Sequence, residues 1–397
     1  MIADHDPSET MAAARPSARR VAAIDCGTNS IRLLIADVSP ARAQLTDVTR
    51  RMEIVRLGQG VDATGRLAAD ALARTLGVLE QYAAQIRAAG AAATRMVATS
   101  ATRDASNAAE FTAGVLGILG IEPEVITGAQ EARLSFTGAT AELAGAGGAS
   151  GATAGLAPPY LVVDIGGGST EFVTGGEAGA PDGGRADGAT ASGGTASGGS
   201  PAASSTSGGS PAASGPSGGT AAGSTAAGSS TAAGGAGRLR AISTDIGCVR
   251  LTERHLRADP PTQAQVAAAT ADIDAAIDTA AGAVLGGPGP GPRTLVGLAG
   301  SVTTVAAIAL GLPGYDAGRI HHARISAEQV HEVAQRLLGQ TRAQRAAIGP
   351  MHPGRVDVIG AGALILDRIV TRLAFAEVVA SEHDILDGIA WSLAADA

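Results

Sequence analysis

The chain of 397 residues contains no lysine; all 29 of its basic residues are arginine. A P-loop nucleotide hydrolase is thereby excluded, because it holds its phosphates with a lysine. Schiff-base chemistry is excluded with it, since that needs a side-chain amine. Aromatic residues make up only 2% of the chain, so any core must be built from Leu, Val, Ile and Ala. The two cysteines, Cys26 and Cys248, are too few for a disulfide framework or a thiolate metal set, and read as small buried residues in a reducing compartment. No run of about 18 apolar residues occurs, so no membrane span and no membrane partner is expected. Met1 to Arg20 is polar and lacks the apolar stretch of a signal peptide; it reads as a disordered tail on a cytoplasmic protein. The net charge of −8 speaks against a nucleic-acid partner, and a polyanionic substrate would need local arginines to outweigh it.

What is present centres on Leu161 to Val173, L-V-V-D-I-G-G-G-S-T-E-F-V. The pattern predicts strand, tight turn, strand. Gly166, Gly167 and Gly168 let the backbone approach a ligand closely and aim its N–H groups at it. Asp164 and Glu171 put two carboxylates at the same turn. Amides for phosphate oxygens beside acids for Mg2+ suit a metal-bound phosphate. Val21 to Val38 repeats the design: a strand ending in Asp25, a small polar turn (Gly27, Thr28, Asn29, Ser30), and a second strand. Two such hairpins suggest a duplicated unit that pinches a phosphate chain between its turns.

Along the chain, Leu45 to Leu57 reads as a third strand, Gly58 to Gly65 as a loop, and Arg66 to Ala88 as a helix on its apolar spacing. Ser106 reads as the N-cap of a helix reaching Leu119, and Gly128 opens another. Thr262 to Leu285 is a long Ala-rich helix, and Ser326 with Gln329 is a capping box. The strand Leu295 to Leu298 leads to a helix from about Thr303. Strands alternating with helices in both halves imply α/β domains, 21–144 and 145–397. The second is interrupted by 175–237, almost entirely Gly, Ala, Ser, Thr and Pro, which reads as a disordered insertion. Stretching a loop of about 4 residues to about 64 costs roughly 2.4 kcal/mol, which a domain of this size absorbs.

Several segments in this order resemble the exopolyphosphatase/guanosine pentaphosphate phosphohydrolase (Ppx/GppA) family of the actin-like ATPase superfamily. They are A-I-D-C-G-T-N-S-I-R-L from Ala23, A-T-S-A-T-R-D-A from Ala98, G-A-Q-E-A-R-L from Gly128 and V-D-I-G-G-G-S-T-E from Val163. S-T-D-I-G-C-V-R-L-T-E from Ser243, G-L-A-G-S-V-T-T from Gly297 and D-I-L-D-G from Asp384 complete the set. The resemblance implies two ribonuclease-H-like domains with an active site in the cleft between them. It implies Mg2+-dependent release of terminal orthophosphate from polyphosphate, or of the 5′ γ-phosphate of pppGpp, and a tendency to form homodimers. The family's catalytic glutamate falls at Glu131; where many members have two acids in a row, this chain has Gln130 first.

On that resemblance Glu131 orients or deprotonates the attacking water. Asp164 and Glu171 hold Mg2+, and Asp25 does so from the facing hairpin. Gly27 to Ser30 and Gly166 to Ser169 donate to phosphate oxygens, and Arg32 and Arg103 contact the developing charge. Gly300 and Ser301 read either as a loop near the distal substrate or as a tight strand-to-helix turn. His321 and His322 read as solvated. The family's longer members carry further C-terminal helical domains, and the expectation here is short-chain polyphosphate or a nucleotide-like substrate. Alternatives are a superfamily kinase, which needs an acceptor, and a sensor that binds without turnover.

Overall fold

The structure, a computed structural model, describes residues 18–145, 156–175, 239–286 and 291–395. The expected insertion, apart from Gly175, and the expected tail, apart from its last three residues, lie outside them. Arg19 and Arg20 belong to the first strand, where Arg20 forms a two-pronged ion pair with Asp37 at 2.8 Å.

Successive residues of a strand point to opposite faces, and the first strand feeds both. In β1 (Arg19–Cys26), Ala22, Ile24 and Cys26 enter one core while Val21 and Ala23 enter another. There follow β2 (Ser30–Ser39), β3 (Gln44–Ile54), α1 (Val61–Thr64) and α2 (Ala69–Ala89). Next come β4 (Ala93–Ala98), α3 (Ser100–Arg103), α4 (Ala108–Leu119), β5 (Glu124–Val125) and α5 (Gly128–Gly145). The short α1 occupies what reads as loop in the sequence. Helix α4 starts one residue beyond the expected cap: Asn107 precedes it, while the Ser106 hydroxyl donates to Gly65 O at 3.0 Å.

The second half carries β6 (Tyr160–Ile165), β7 (Thr170–Gly175), β8 (Arg240–Thr244), α6 (Cys248–Arg254) and α7 (Gln263–Val284). It continues with β9 (Thr294–Leu298), α8 (Ala299–Ala309), α9 (Ala317–Ile320), β10 (Arg324–Ser326) and α10 (Ala327–Gly339). It ends with α11 (Arg342–Ala346), α12 (Ile359–Arg372), β11 (Glu377–Ala380) and α13 (Ile385–Ala395). A capping box opens α10 at Ser326, as the sequence indicates, and two further boxes, at Thr262 and Thr341, open α7 and α11. No described helix is long and apolar enough to cross a membrane.

The sheets run β3-β2-β1-β4-β5 and β10-β11-β9-β6-β7-β8. Counted from its own first strand, the first sheet has the order third, second, first, fourth, fifth and the second has third, second, first, fourth, sixth, fifth, so the two orders coincide once the edge strand β10 is set aside. The duplication suggested by the two hairpins is thus a duplication of topology. Strand β8 pairs antiparallel with β7, so residues 176–238 join two adjacent strands.

Chain order and packing part company at two helices. Helix α5, which follows the first sheet, puts Ala132, Phe136, Ala139 and Leu143 against Tyr160, Val162 and Val173 of the second. Helix α13, which follows the second sheet, puts Ile385, Leu386 and Ile389 against Val21, Ala23 and Leu34 of the first. A boundary at residue 144 therefore follows the chain but not these two helices. They cross in backbone contact. A Cβ on Gly138 would collide with Asp384 O, and one on Gly388 with Leu134 O. Glycine is required at both positions by that approach.

Candidate active site

Both hairpin turns, Glu131 and part of α8 line one cavity of about 520 Å³. The two hairpins superimpose in logic. Gly27 N donates to Ser30 O and Gly166 N to Ser169 O, each at 3.0 Å. In register, Asp25 stands opposite Arg32, and Asp164 stands opposite Glu171.

In the first hairpin the opposing pair is an ion pair. Arg32 donates from Nε and Nη2 to Asp25 Oδ2 at 3.0 and 2.6 Å, and from Nη1 to Asp384 Oδ2. Burial raises the Asp25 carboxyl, and the Arg32 guanidinium pulls it back only in part. Arg32, expected to face substrate, thus already holds two carboxylates. Asp384 accepts from Leu386 N at 3.0 Å, so the start of α13 is tied to the same guanidinium.

In the second hairpin no guanidinium touches the pair. Ser135 donates to Asp164 Oδ2 and Ser243 to Glu171 Oε1, both at 2.7 Å. Burial, with the neighbouring Asp384 and Asp25, pushes Asp164 up to about 6 against the pull of Arg32 and Ser135. Burial, with Glu131 and Asp164, lifts Glu171 well above the carboxylate range. Asp164 lines the cavity; Glu171, 1% exposed, lies behind its wall.

The glycine triplet serves two purposes. Gly166 and Gly167 line the cavity. A Cβ on Gly167 would press on Thr28 and Asn29, and one on Gly168 on Ser100 and Thr28. These two glycines let the second turn seat against the first. Gly168 is not in the cavity lining, and its carbonyl accepts from Arg250 Nε at 2.8 Å. Thr28 Oγ1 lies 2.8 Å from Ser100 Oγ.

Glu131 sits in the first turn of α5. The preceding Thr127 and Gln130 cap that helix reciprocally: Thr127 N donates to Gln130 Oε1 at 2.9 Å and Gln130 N to Thr127 Oγ1 at 3.3 Å. Gln130 is spent on the cap, which leaves Glu131 as the lone carboxylate there. Arg103 Nη1 donates to Glu131 Oε2 and to Ile126 O, both at 2.9 Å. Arg103 is absent from the cavity lining, so it holds Glu131 from behind where contact with substrate was expected. Burial lifts Glu131 to about 7, with Arg103 opposing and Asp25 and Asp164 adding to the rise.

Gly300 and Ser301 belong to α8, which starts at Ala299, four residues before the expected Thr303. Of the two readings, the strand-to-helix turn is the one present; Ala299 makes it with φ 66°. Both residues line the cavity. Gly300 has no side chain because the Arg355 guanidinium lies on it. Arg355 donates to Thr304 Oγ1 and reaches Met52 Sδ, each at 3.1 Å, and among the described residues no carboxylate lies within salt-bridge distance of it, although Glu382 acts on it electrostatically. A cavity-lining guanidinium in no direct ion pair suits an anion. The sequence reading missed it, along with Asp384; the D-I-L-D-G segment was seen but given no role.

The donors suit a hard divalent cation. Asp25, Glu131, Asp164, Glu171 and Asp384 cluster with Arg32 and Arg103 as their ion-pair partners, Arg50, Arg51 and Arg355 line the same cavity, and every ligand atom the acids offer is oxygen. Asn29 Oδ1, at the same turn, is buried with no partner. A dry excess of carboxylates must take up protons or a cation.

His321 and His322 are not solvated. His322 is 8% exposed with its ring stacked 3.7 Å from that of His321, whose Nε2 lies 3.2 Å from Glu142 Oε2. Solvation was expected because Glu142, 179 positions away, is invisible as a partner in the sequence.

The chain matches the model of the Ppx/GppA phosphatase family over residues 34–181 and 227–396. It is 44% identical to exopolyphosphatase 2 of Mycobacterium tuberculosis over 94% of this chain and 98% of that protein. It is similar to the crystal structure of an exopolyphosphatase-like protein at 38% identity and a TM-score of 0.72, covering 94% of this chain and 98% of that one. The crystal structure of the Aquifex aeolicus Ppx/GppA family member aligns at 25% identity and a TM-score of 0.66, covering 95% and 98% of the two chains.

Proposed function

The chain belongs to the Ppx/GppA phosphatase family, and from that membership we propose that it is an exopolyphosphatase, a hydrolase releasing terminal orthophosphate from inorganic polyphosphate. One observation carries the mechanistic reading: two acid-and-glycine hairpin turns and Glu131 line a single cavity. Hydrolysis of a phosphoanhydride needs an aligned water and neutralised charge, with little covalent help. Water adds to the terminal phosphorus, and the bond to the bridging oxygen breaks. The shortened chain leaves with that oxygen's charge. Glu131, poised at about 7 by burial, accepts the water's proton. Arg103 holds that carboxylate in place. Cavity-lining amides and hydroxyls of residues 28–30, of Gly167 and of Ser169 receive phosphate oxygens, and Arg355 binds the charge of the next phosphates. Asp164 and Asp25 at the cavity wall, with Glu171 behind it, would hold a divalent cation, Mg2+ by donor type, which would neutralise phosphate charge.

Polyphosphate is favoured over pppGpp because the named relative is an exopolyphosphatase. Orthophosphate release from polyphosphate of defined length, from pppGpp, and from polyphosphate with an alcohol acceptor tests the reading. Release from polyphosphate without acceptor is expected. Release from pppGpp alone, or release that requires an acceptor, overturns it.

A further inference from the structure

At the far end of α5 from Glu131, three elements bring together a donor set unlike that of the cavity. Glu142 lies on α5, His321 directly follows α9, and His383 precedes α13. Glu142 Oε2 is 3.2 Å from His321 Nε2, and Glu142 Oε1 is 3.5 Å from His383 Nδ1. Among the described residues this is the one group of three His, Cys, Asp or Glu whose ligand atoms all lie within 4.8 Å of one another.

We infer that Glu142, His321 and His383 form a second cation site, built for a borderline metal of the zinc class and separate from the all-oxygen cluster of the cavity. One ligand atom from each of the three residues lies within 4.8 Å of the other two, close enough for them to converge on a single ion. Zinc bonds to imidazole nitrogen and carboxylate oxygen are about 2.1 Å, so the edges of a tetrahedron around it are about 3.4 Å. Each oxygen of the Glu142 carboxylate stands about one such edge from a histidine nitrogen, Oε2 from His321 at 3.2 Å and Oε1 from His383 at 3.5 Å. Without a metal, His321 is satisfied at both nitrogens, Nε2 by Glu142 Oε2 and Nδ1 by the Glu382 amide, each at 3.2 Å. The His383 ring, 4.6 Å from that of His321, is held less closely, its Nδ1 3.5 Å from Glu142 Oε1. A third ring, His322, is stacked on His321, nine-tenths buried, with Nε2 lacking any partner. One metal ion uses His321 and His383 as neutral ligands and supplies the positive charge itself. Two nitrogens and one carboxylate leave a fourth position for water, the composition of an open zinc site, and they disfavour Mg2+. Loading has a defined cost. The His321 proton moves to Nδ1, so the 3.2 Å contact from the Glu382 amide to that nitrogen must open.

The test is an equilibrium zinc titration of the full chain against a chromophoric chelator, with excess Mg2+ present to occupy the oxygen cluster. Wild type is expected to hold one zinc that Glu142→Gln and His383→Asn bind at least tenfold more weakly, while His331→Asn, on α10, leaves it unchanged. Circular dichroism checks that each variant is folded. Cobalt added to wild type gives a second readout that needs no variant: strong visible bands of a four-coordinate nitrogen-bound ion, abolished by one equivalent of zinc. Equal zinc uptake by wild type and variants, or only the weak bands of six-coordinate cobalt, overturns the inference. Neither readout depends on turnover, so failure here leaves the hydrolase reading untouched.

Discussion

The two hairpins carry the same turn at the same depth and differ at one register position. Where the first sets Arg32 across from Asp25, the second sets Glu171 across from Asp164. The first is therefore compensated within its own chain. The second is two buried acids face to face, served by serine hydroxyls, Ser135 on Asp164 and Ser243 with Ser169 on Glu171. A duplicated scaffold has been divided into a self-neutralised wall and a wall that stays costly until a cation or proton arrives. That asymmetry gives the cavity a direction: the uncompensated acids of the second hairpin face the ion-paired Asp25 of the first.

The largest effect expected falls on the group between the walls. Glu131→Gln should lower kcat by about 10² to 10⁴, with KM for polyphosphate changed less than about threefold, in steady-state phosphate-release assays. The comparison itself is broken or sharpened by amide substitutions at matched positions. Asp25→Asn leaves buried Arg32 short of a counter-charge and should cost about 3 kcal/mol of stability. Glu171→Gln removes a repulsion and should stabilise the cation-free protein. Denaturant unfolding in chelator measures both, and changes of the same sign would end the distinction between the walls.

The third prediction concerns pH. Asp164, at about 6, and Glu131, at about 7, stand above ordinary carboxylates. The folded protein therefore holds protons that the unfolded chain gives up from about pH 4. Their stabilising contribution is complete below the unfolded values and is lost as pH rises through 6 and 7. The melting temperature of the cation-free protein should fall by several degrees from pH 5 to pH 8, and a saturating divalent cation should remove most of that fall. The smallest effect belongs to the anion receptor outside either hairpin. Arg355→Ala should raise KM about tenfold with little change in kcat, and Arg355→Lys should recover only part of it.

The hairpins were legible because their chemistry is local: acid, glycine and serine recur within six residues, and each turn is closed by a bond inside that span. Glu131 was legible through the resemblance, and the meaning of Gln130 follows from its cap with Thr127. What the sequence hid is long-range. Arg103 reads as a free charge, yet its partner Glu131 stands 28 positions on. Arg32 reads as available, yet Asp384 reaches it from 352 positions away. Arg355 shows itself only through the glycine it covers. The apolar faces of α5 and α13 announce helices to be buried without saying which sheet each will cover. Proximity along the chain pointed each to the wrong one.

That exchange has a mechanical consequence. Because α5 and α13 meet backbone to backbone at Gly138 and Gly388, no flexible side chain cushions one against the other, and neither can slide alone. Any breathing of the cleft must swing the pair as a single rigid spindle. Glu131 near one end, and Asp384 with the arginine it grips, would then travel together and keep their spacing across the cavity they both line.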